Sequence, residues 1–426
     1  MSAGCFGLDS LSVLKTQIIP NGPHRAGFFY SRKAFAMTIL TLTGLIPDIY
    51  AAMNVIAREQ VGFIPAVSRD STAERAALNQ TVRSPVVGAM AAEDLTQGAY
   101  AEDAGNQTIN YVDMTINKQR SVPFGINGDD TMRLQSAGTY ANVNQQRIAQ
   151  ALRTLTNEVE TDLAVTSLKL SRAYGTVGTI PFGTAGDLSD FAQPKKILKD
   201  NGAPLSDLHM VLGSGAMANV EGKQAGLFRV NEAGTDELLR RGAVTLVQGF
   251  DLHNSGAIGD LVLTGGAASA TTNNAGYARG TTIINLAAAG TGAFLAGDIV
   301  KFAGDPNNQY ILAAGDSDAS NGGTIRLQAP GLRQAIPAAA TGITLVGATV
   351  RNAFFQRAAL QLATRAPAMP EGGDSADDVI TVTDPISGIT YEFCVYKQKR
   401  QVRYEVNLAW GTAAPNPHLG GHLIGG

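Results

Sequence analysis

Few residues in this chain are of a type and spacing that could do chemistry. The string Gly213-Ser214-Gly215-Ala216-Met217-Ala218 matches the loose form of a dinucleotide fingerprint, in which a strand-to-helix turn offers backbone amides to a pyrophosphate. The apolar run 205–212 before it reads as a strand, and a helix is expected after it. The acid at the offset that would hold a ribose is Glu232, but no second strand pattern precedes it, and the surrounding chain does not alternate strand with helix. A packing turn of small residues accounts for the same string, so nucleotide binding at 213–218 stands only as the alternative reading. His209 and His253 fall near strand ends without a cysteine or acidic pair at ligand spacing, and read as surface or capping histidines. His418 and His422 are four apart, but Gly420-Gly421 works against a helix that would bring them together. Cys5 and Cys394 cannot make a disulfide framework, and no serine elbow, zinc helix, phosphate loop or Cys-x-x-Cys pair is present. Asn79-Gln80-Thr81 and Asn106-Gln107-Thr108 fit a glycosylation sequon with no secretory context to use it. No catalytic, cofactor-binding or metal-ligating residue is expected.

The composition points instead to burial against other surfaces. Charged residues make up 16 % of the 426, against a usual value of roughly 25 %, while glycine reaches 48 residues. A surface so poor in charge has little to repel a neighbouring copy. A net charge of −3 gives no electrostatic reason to bind nucleic acid, and the basic clusters at 195–199, 240–241 and 397–403 are short. The apolar run 34–46 is too short to span a bilayer, although its basic start resembles a signal peptide. The preferred alternative takes Met37 as the true start and 1–36 as an upstream extension or tag. Those 36 residues carry net +3, which leaves the remainder at −6.

The element on which the rest is organised is 137–174, free of proline and, after Gly138, of glycine until Gly175. Ile148, Leu152, Leu155, Val159, Leu163, Thr166 and Leu170 recur at helical spacing on one face. Gln146, Arg153, Asn157, Glu160 and Lys169 are read as the opposite, polar face. A helix over 141–172 would be about 48 Å long, a spine against which a sheet can lie. Before it, 45–60 reads as a short amphipathic helix, 62–79 as an extended arm outside the core, and 109–116 as a strand and partner with a phase slip. A two-stranded ribbon alone is marginal in water, so a long hairpin here needs a neighbour. After the spine come a helix over 188–200, a strand over 205–212, two strands within 243–266 and a linker at 268–275. Five short β runs between 277 and 347 then suggest a small barrel or sandwich inserted into the chain. Residues 379–393 read as a strand pair around the 384–388 turn, 402–410 as the cleanest strand, and 411–426 as turn-rich tail.

The string INKQRSVPFGIN (116–127), the spine helix after it, and the ending MPEGG (369–373), VTDPISGITYEF (382–393) and QVRYEVNLAWGTAAPNP (401–417) resemble coat proteins of short-tailed bacteriophages whose capsid fold carries an inserted β-barrel. The resemblance spans about 38–424. It implies an α+β tailed-phage major capsid fold with an N-terminal arm (37–83), an extended loop (84–135), a spine helix with peripheral domain (136–215), an axial domain (216–276), a β insertion domain (277–349) and a return to the peripheral and axial domains (350–426). It implies a non-enzymatic subunit that forms pentamers and hexamers, closing an icosahedral shell around double-stranded DNA without sequence recognition. A scaffolding protein and a portal are the implied partners, assembly in the bacterial host cytoplasm the implied place, with no membrane. On this reading Tyr111, Met114, Ile116, Arg120 and Phe124 make contacts between subunits. No pattern for the lysine–asparagine weld of some relatives is present. The insertion is short for that family.

Overall fold

The long apolar stripe does form the central helix, but its surroundings differ from the sequence reading. The computed structural model describes residues 49–50, 61–86, 110–136, 140–223, 246–384 and 387–426, all within one compact unit, Thr41–Gly426. The expected start at Met37, the signal-peptide alternative, most of the 45–60 helix, and the 87–109 loop lie outside the described residues. In chain order the first elements are helix α1 (Phe63–Ala66), strand β1 (Ser68–Ala76), β2 (Thr81–Val86), β3 (Asn110–Thr115) and β4 (Lys118–Asn127). Helix α2 (Gly128–Ser136) and the spine α3 (Tyr140–Ser167) follow. The fold is α+β.

Ile148, Leu152, Leu155, Val159 and Leu163 are all buried in the main core, with Phe63, Ile64, Phe355 and Trp410. The spine ends at Ser167, not at 172, because its last residues are claimed by a sheet. Arg172–Gly175 becomes strand β5, paired on both sides, and Ser171 donates its N–H to Gly420 O at 3.2 Å. Its polar face is also narrower than the sequence suggested: Glu160 and Thr156 are buried, leaving Gln146, Gln150, Thr154, Asn157, Thr161 and Val165 as the exposed line. The helix therefore packs on more than one side, which explains why a rod about 42 Å long can sit inside the fold.

One layer is a six-stranded sheet in the order β1, β15 (Gln361–Pro367), β18 (Gln401–Ala413), β17 (Thr390–Gln398), β16 (Asp378–Thr383), with β4 on the other edge of β18. The strand pair expected over 379–393 forms as β16 and β17, and the strand expected over 402–410 lies within β18. The arm expected at 62–79 is instead core: Phe63, Ile64, Ala66 and Val67 are buried, and β1 runs parallel to β15. Thr156 and Tyr391 share a 2.8 Å hydroxyl contact, and Asp162 accepts from Lys118 Nζ at 2.6 Å and from Trp410 Nε1 at 2.8 Å.

The second sheet has eleven strands and joins segments distant in sequence. Its path is β13 (Ile343–Leu345), β10 (Ile299–Phe302), β11 (Asp305–Ala314), β5, β19 (Gly420–Ile424), β14 (Arg351–Gln356), β6 (Leu208–Leu212), β8 (Phe250–Asn254) and β7 (Leu246–Val247). Strands β9 (Ile283–Leu286) and β12 (Gly323–Leu327) attach through β11. Helix α4 (Ser189–Asp200) and α5 (Ser214–Lys223) flank it. Three expectations are corrected here. The tail is not turn alone: Gly420–Ile424 is a fully buried inner strand, and its glycines are needed because a Cβ on Gly421 would lie 2.5 Å from Arg172 O and 2.6 Å from Phe354 Cζ. Of the two strands expected, at 243–250 and 260–266, the first is broken by a turn at Gln248-Gly249, with positive φ at both, into β7 and the start of β8, and the second makes only a bridge from Val262 to Thr349. The linker at 268–275 belongs to the inserted β unit, bridging Thr291, Gly342 and Leu286, with Ala270 buried in its core.

That unit has its own core of Ile284, Leu286, Phe302, Tyr310, Ile325 and others, and its five expected strands all form. It is not a free-standing barrel, since β11 pairs with β5. At the seam the buried Arg172 guanidinium hydrogen-bonds Asn308 and lies 5.9 Å over the Tyr310 ring, while Tyr310 Oη donates to Asp305 at 2.5 Å and accepts the Arg333 N–H at 2.8 Å. The charge is offset only in part: Arg172 Nη1 lies 3.8 Å from Asp200 Oδ2, and neither Nη1 nor Nε has a hydrogen-bond partner.

Candidate intersubunit surface

Strands β2 and β3 form a two-stranded ribbon belonging to neither large sheet, with Arg83 opposite Asp113 and Val82 opposite Met114. The phase slip expected within 109–116 is absent; β3 is one strand, and its partner is Thr81–Val86. The root of the ribbon is fixed. Asn79 donates to Ile116 O at 2.8 Å, Ile116 donates to Gln80 O at 2.9 Å, and Ile116 packs with Ala76, Ala409 and Val82. Gly411 in β18 lets the root cross closely, since a Cβ there would run into Thr115 O. One face of the ribbon is exposed: Tyr111 is 53 % exposed, with the Arg83 guanidinium 5.3 Å over its ring and paired with Asp113 at 2.9 Å. The hydrogen bond that Arg83 donates to Asp113 is the main cause that raises the Arg83 pKa, and so reinforces a charge that is permanent in any case.

The five residues proposed for contact between subunits therefore separate. Met114 and Ile116 are buried in the chain's own interior and are not available to a neighbour, because alternation along β3 and the root turns them inward. Phe124 stacks on Tyr404 at 5.4 Å and is partly covered by the main core. Tyr111 and Arg120 remain at the surface, Arg120 paired with Glu158 at 3.3 Å. β4 contributes more than one side chain: it pairs with β18 from Lys118 to Asn127, while among the described residues no strand pairs its other edge. Pro123 and the flanking Lys118 and Arg120 are the kind of residues that guard such an edge. Next to it, Met132 on α2 is 70 % exposed, and Leu263, beyond β8, is 80 % exposed.

Among the described residues the candidate chemical groups answer to packing and hydrogen bonding. Gly213 donates its N–H to Asn352 Oδ1 at 2.8 Å, and a Cβ on it would lie 2.6 Å from Ile258 O, so the first glycine of the supposed fingerprint answers to packing. Cys394 is buried, which pushes its thiol up to about 12 and removes it as a nucleophile. The reading of His209 and His253 as surface residues is corrected. His209 is buried, its Nδ1 is 3.2 Å from His253 Nε2, and its Nε2 is 3.1 Å from both Asp207 and Arg357. Burial, then the neighbouring positive charge, lowers both histidines, His253 to about 4. Parallel pairing of β6 with β8 brings the two together, and nothing in local sequence could have signalled it. His422 is fully buried on β19, with Nε2 2.8 Å from Ser167 O. Among the described residues no group of three or more His, Cys, Asp or Glu side chains could hold a metal ion, and no helix is long and apolar enough to cross a membrane.

One residue placed on the polar face of the spine proves to be a buried anchor. Glu160 accepts the N–H groups of Gly62 and Phe63 at 2.7 Å and of Ile64 at 3.2 Å, and the Ser255 hydroxyl at 2.6 Å. Burial, the largest influence, raises its pKa, and these four donors pull the other way. It joins α1, the spine and the end of β8 in one contact. A single charged position on an otherwise polar helix face gives no sequence signal for this.

No family model matches the sequence, and no curated protein does. Among solved structures the chain is similar to one of Mycobacterium phage Che8 (11 % identity, TM-score 0.42, covering 81 % of this chain and 84 % of that one). It is similar also to the capsid of the cyanophage P-SCSP1u (11 %, 0.41, 85 % and 88 %) and to the mature capsid of bacteriophage PhiM1 (11 %, 0.40, 85 % and 87 %).

Proposed function

We propose that this chain is a major capsid protein of tailed-phage type, a shell subunit without an active site. The observation that carries the reading is the ribbon: two strands that belong to neither large sheet, rooted in the chain's interior at Met114 and Ile116, with an arginine–tyrosine pair exposed on the other face. A free ribbon of this kind gains little by itself, and becomes stable when a neighbouring surface covers it. The open edge of β4, the exposed Met132 and Leu263, and the low charge of the chain fit the same need. The subunits form pentamers and hexamers of an icosahedral shell, with a scaffolding protein and portal as assembly partners. The shell encloses double-stranded DNA without reading its sequence, as a weakly acidic chain would. Assembly takes place in the host cytoplasm, and the product is the virion capsid. Electron microscopy of the purified protein, with scaffold where required, tests this: closed hollow particles are expected, and persistence as a monomer under assembly conditions overturns it.

A further inference from the structure

A cleft of about 750 Å³ lies between the turn at 176–187, the end of α5 and the β10–β11 face of the inserted unit. That is within the range of about 300–1,000 Å³ of sites that hold small ligands. Its polar lining carries charge of both signs. Lys223, at the end of α5, and Lys301, on β10, line it, and neither has an ion-pair partner among the described residues. Asp190 accepts the Phe182 N–H at 2.6 Å and Asp187 the Ser189 N–H at 2.9 Å, each through one carboxylate oxygen, so both keep capacity to accept more. Gln309, on β11, is 7 % exposed and donates its amide to Gly175 O at 2.8 Å, while its Oε1 has no hydrogen-bond partner. Ile180, 45 % exposed, adds an apolar wall.

These groups select a ligand by charge and by hydrogen bonding. An anion drawn to Lys223 and Lys301 meets Asp187 and Asp190, and a cation meets the reverse, so a neutral ligand is favoured. The lysines need acceptors and Gln309 Oε1 needs a donor, so the ligand must carry both. A hydroxyl is both at one atom, and a ring bearing several of them also has C–H groups to lay on Ile180. A peptide is the poorer fit, because peptides dock by adding to an open strand edge or by filling an apolar groove. Here β5, β10 and β11 each have a strand neighbour on both sides.

We propose that the cleft binds a neutral saccharide, with Lys223 and Lys301 donating to sugar oxygens and Asp187, Asp190 and Gln309 Oε1 accepting from sugar hydroxyls. The proposal does not depend on the shell reading. The test is saturation-transfer NMR on the unassembled full-length chain, with maltotriose, mannotriose and chitotriose each titrated separately. Saturable binding of at least one is expected. Asp187→Asn and Lys223→Ala change exposed side chains, and each is expected to weaken binding on the order of tenfold. Melting followed by circular dichroism checks that the variants fold, and where one does not, the other decides. Because the ligand is neutral, raising sodium chloride from about 0.05 to about 0.5 M is expected to leave the affinity within about twofold. No saturable binding by any of the three sugars, binding left unchanged by the folded variants, or a steep fall with salt overturns the proposal. So does binding of the neutral peptide acetyl-Ala-Ser-Ala-amide in place of the sugars, which would assign the cleft to a peptide.

Discussion

Removing the Glu160 carboxylate should uncouple α1 and the end of β8 from the spine. In Glu160→Ala the amides of Gly62, Phe63 and Ile64 and the hydroxyl of Ser255 lose their common acceptor in a buried site. A buried donor left unmet costs about 1–3 kcal/mol; four at the lower end give about 4 kcal/mol, before any cavity cost. That is a large part of a typical folding stability of about 5–15 kcal/mol. Glu160→Gln keeps one carbonyl oxygen for the Gly62, Phe63 and Ser255 donors but sets an amide NH₂ against the Ile64 N–H, and should cost about 1–3 kcal/mol. Urea unfolding of the unassembled subunit measures both. The single tryptophan, Trp410, is fully buried and bonded to Asp162 one half-turn along the same helix, so its emission reports the region directly. If alanine and glutamine variants both unfold within about 0.5 kcal/mol of the parent, the anchor does not exist as described.

Acid should destabilise the subunit through its histidines. The folded-state pKa of His422 lies at about 4, below its ordinary 6.5, chiefly because burial disfavours the charged ring, so the unfolded chain takes up protons first. Its contribution is intact above pH 6.5, is lost as the pH falls towards 4, and amounts to about 3 kcal/mol; unfolding free energies measured from pH 7 to 4 should fall, and less steeply in His422→Gln. His253 adds a loss of the same sign, and His253→Asn should flatten the same profile. Gly421→Ala should destabilise by about 3 kcal/mol or fail to fold, since its Cβ meets backbone and the Phe354 ring, and calorimetry of the soluble fraction reads this. Asp162→Ala should strand the Trp410 N–H, cost about 1–3 kcal/mol and change the tryptophan emission; an unchanged spectrum and melting temperature would count against the Trp410–Asp162 bond.

The spine helix was legible because its signal is local. The spacing of Ile148, Leu152, Leu155, Val159 and Leu163 is a property of the helix itself, and these residues enter the core wherever the helix is placed. The strands of the inserted unit and β16, β17 and β18 were legible for the same reason, as short alternating runs between turn residues. What sequence could not supply is where distant segments meet. Gly420–Ile424 reads as a tail until β5 and β14 take it in on either side, and its glycines are then the residues that fit between Arg172 O and Phe354. Glu160 reads as a solvated face until α1 turns three amides onto it. His209 meets His253 only because β6 and β8 lie parallel. Periodicity fixes which side of an element is apolar. A buried polar group is decided by donors and acceptors far along the chain, and only the tertiary structure brings those within reach.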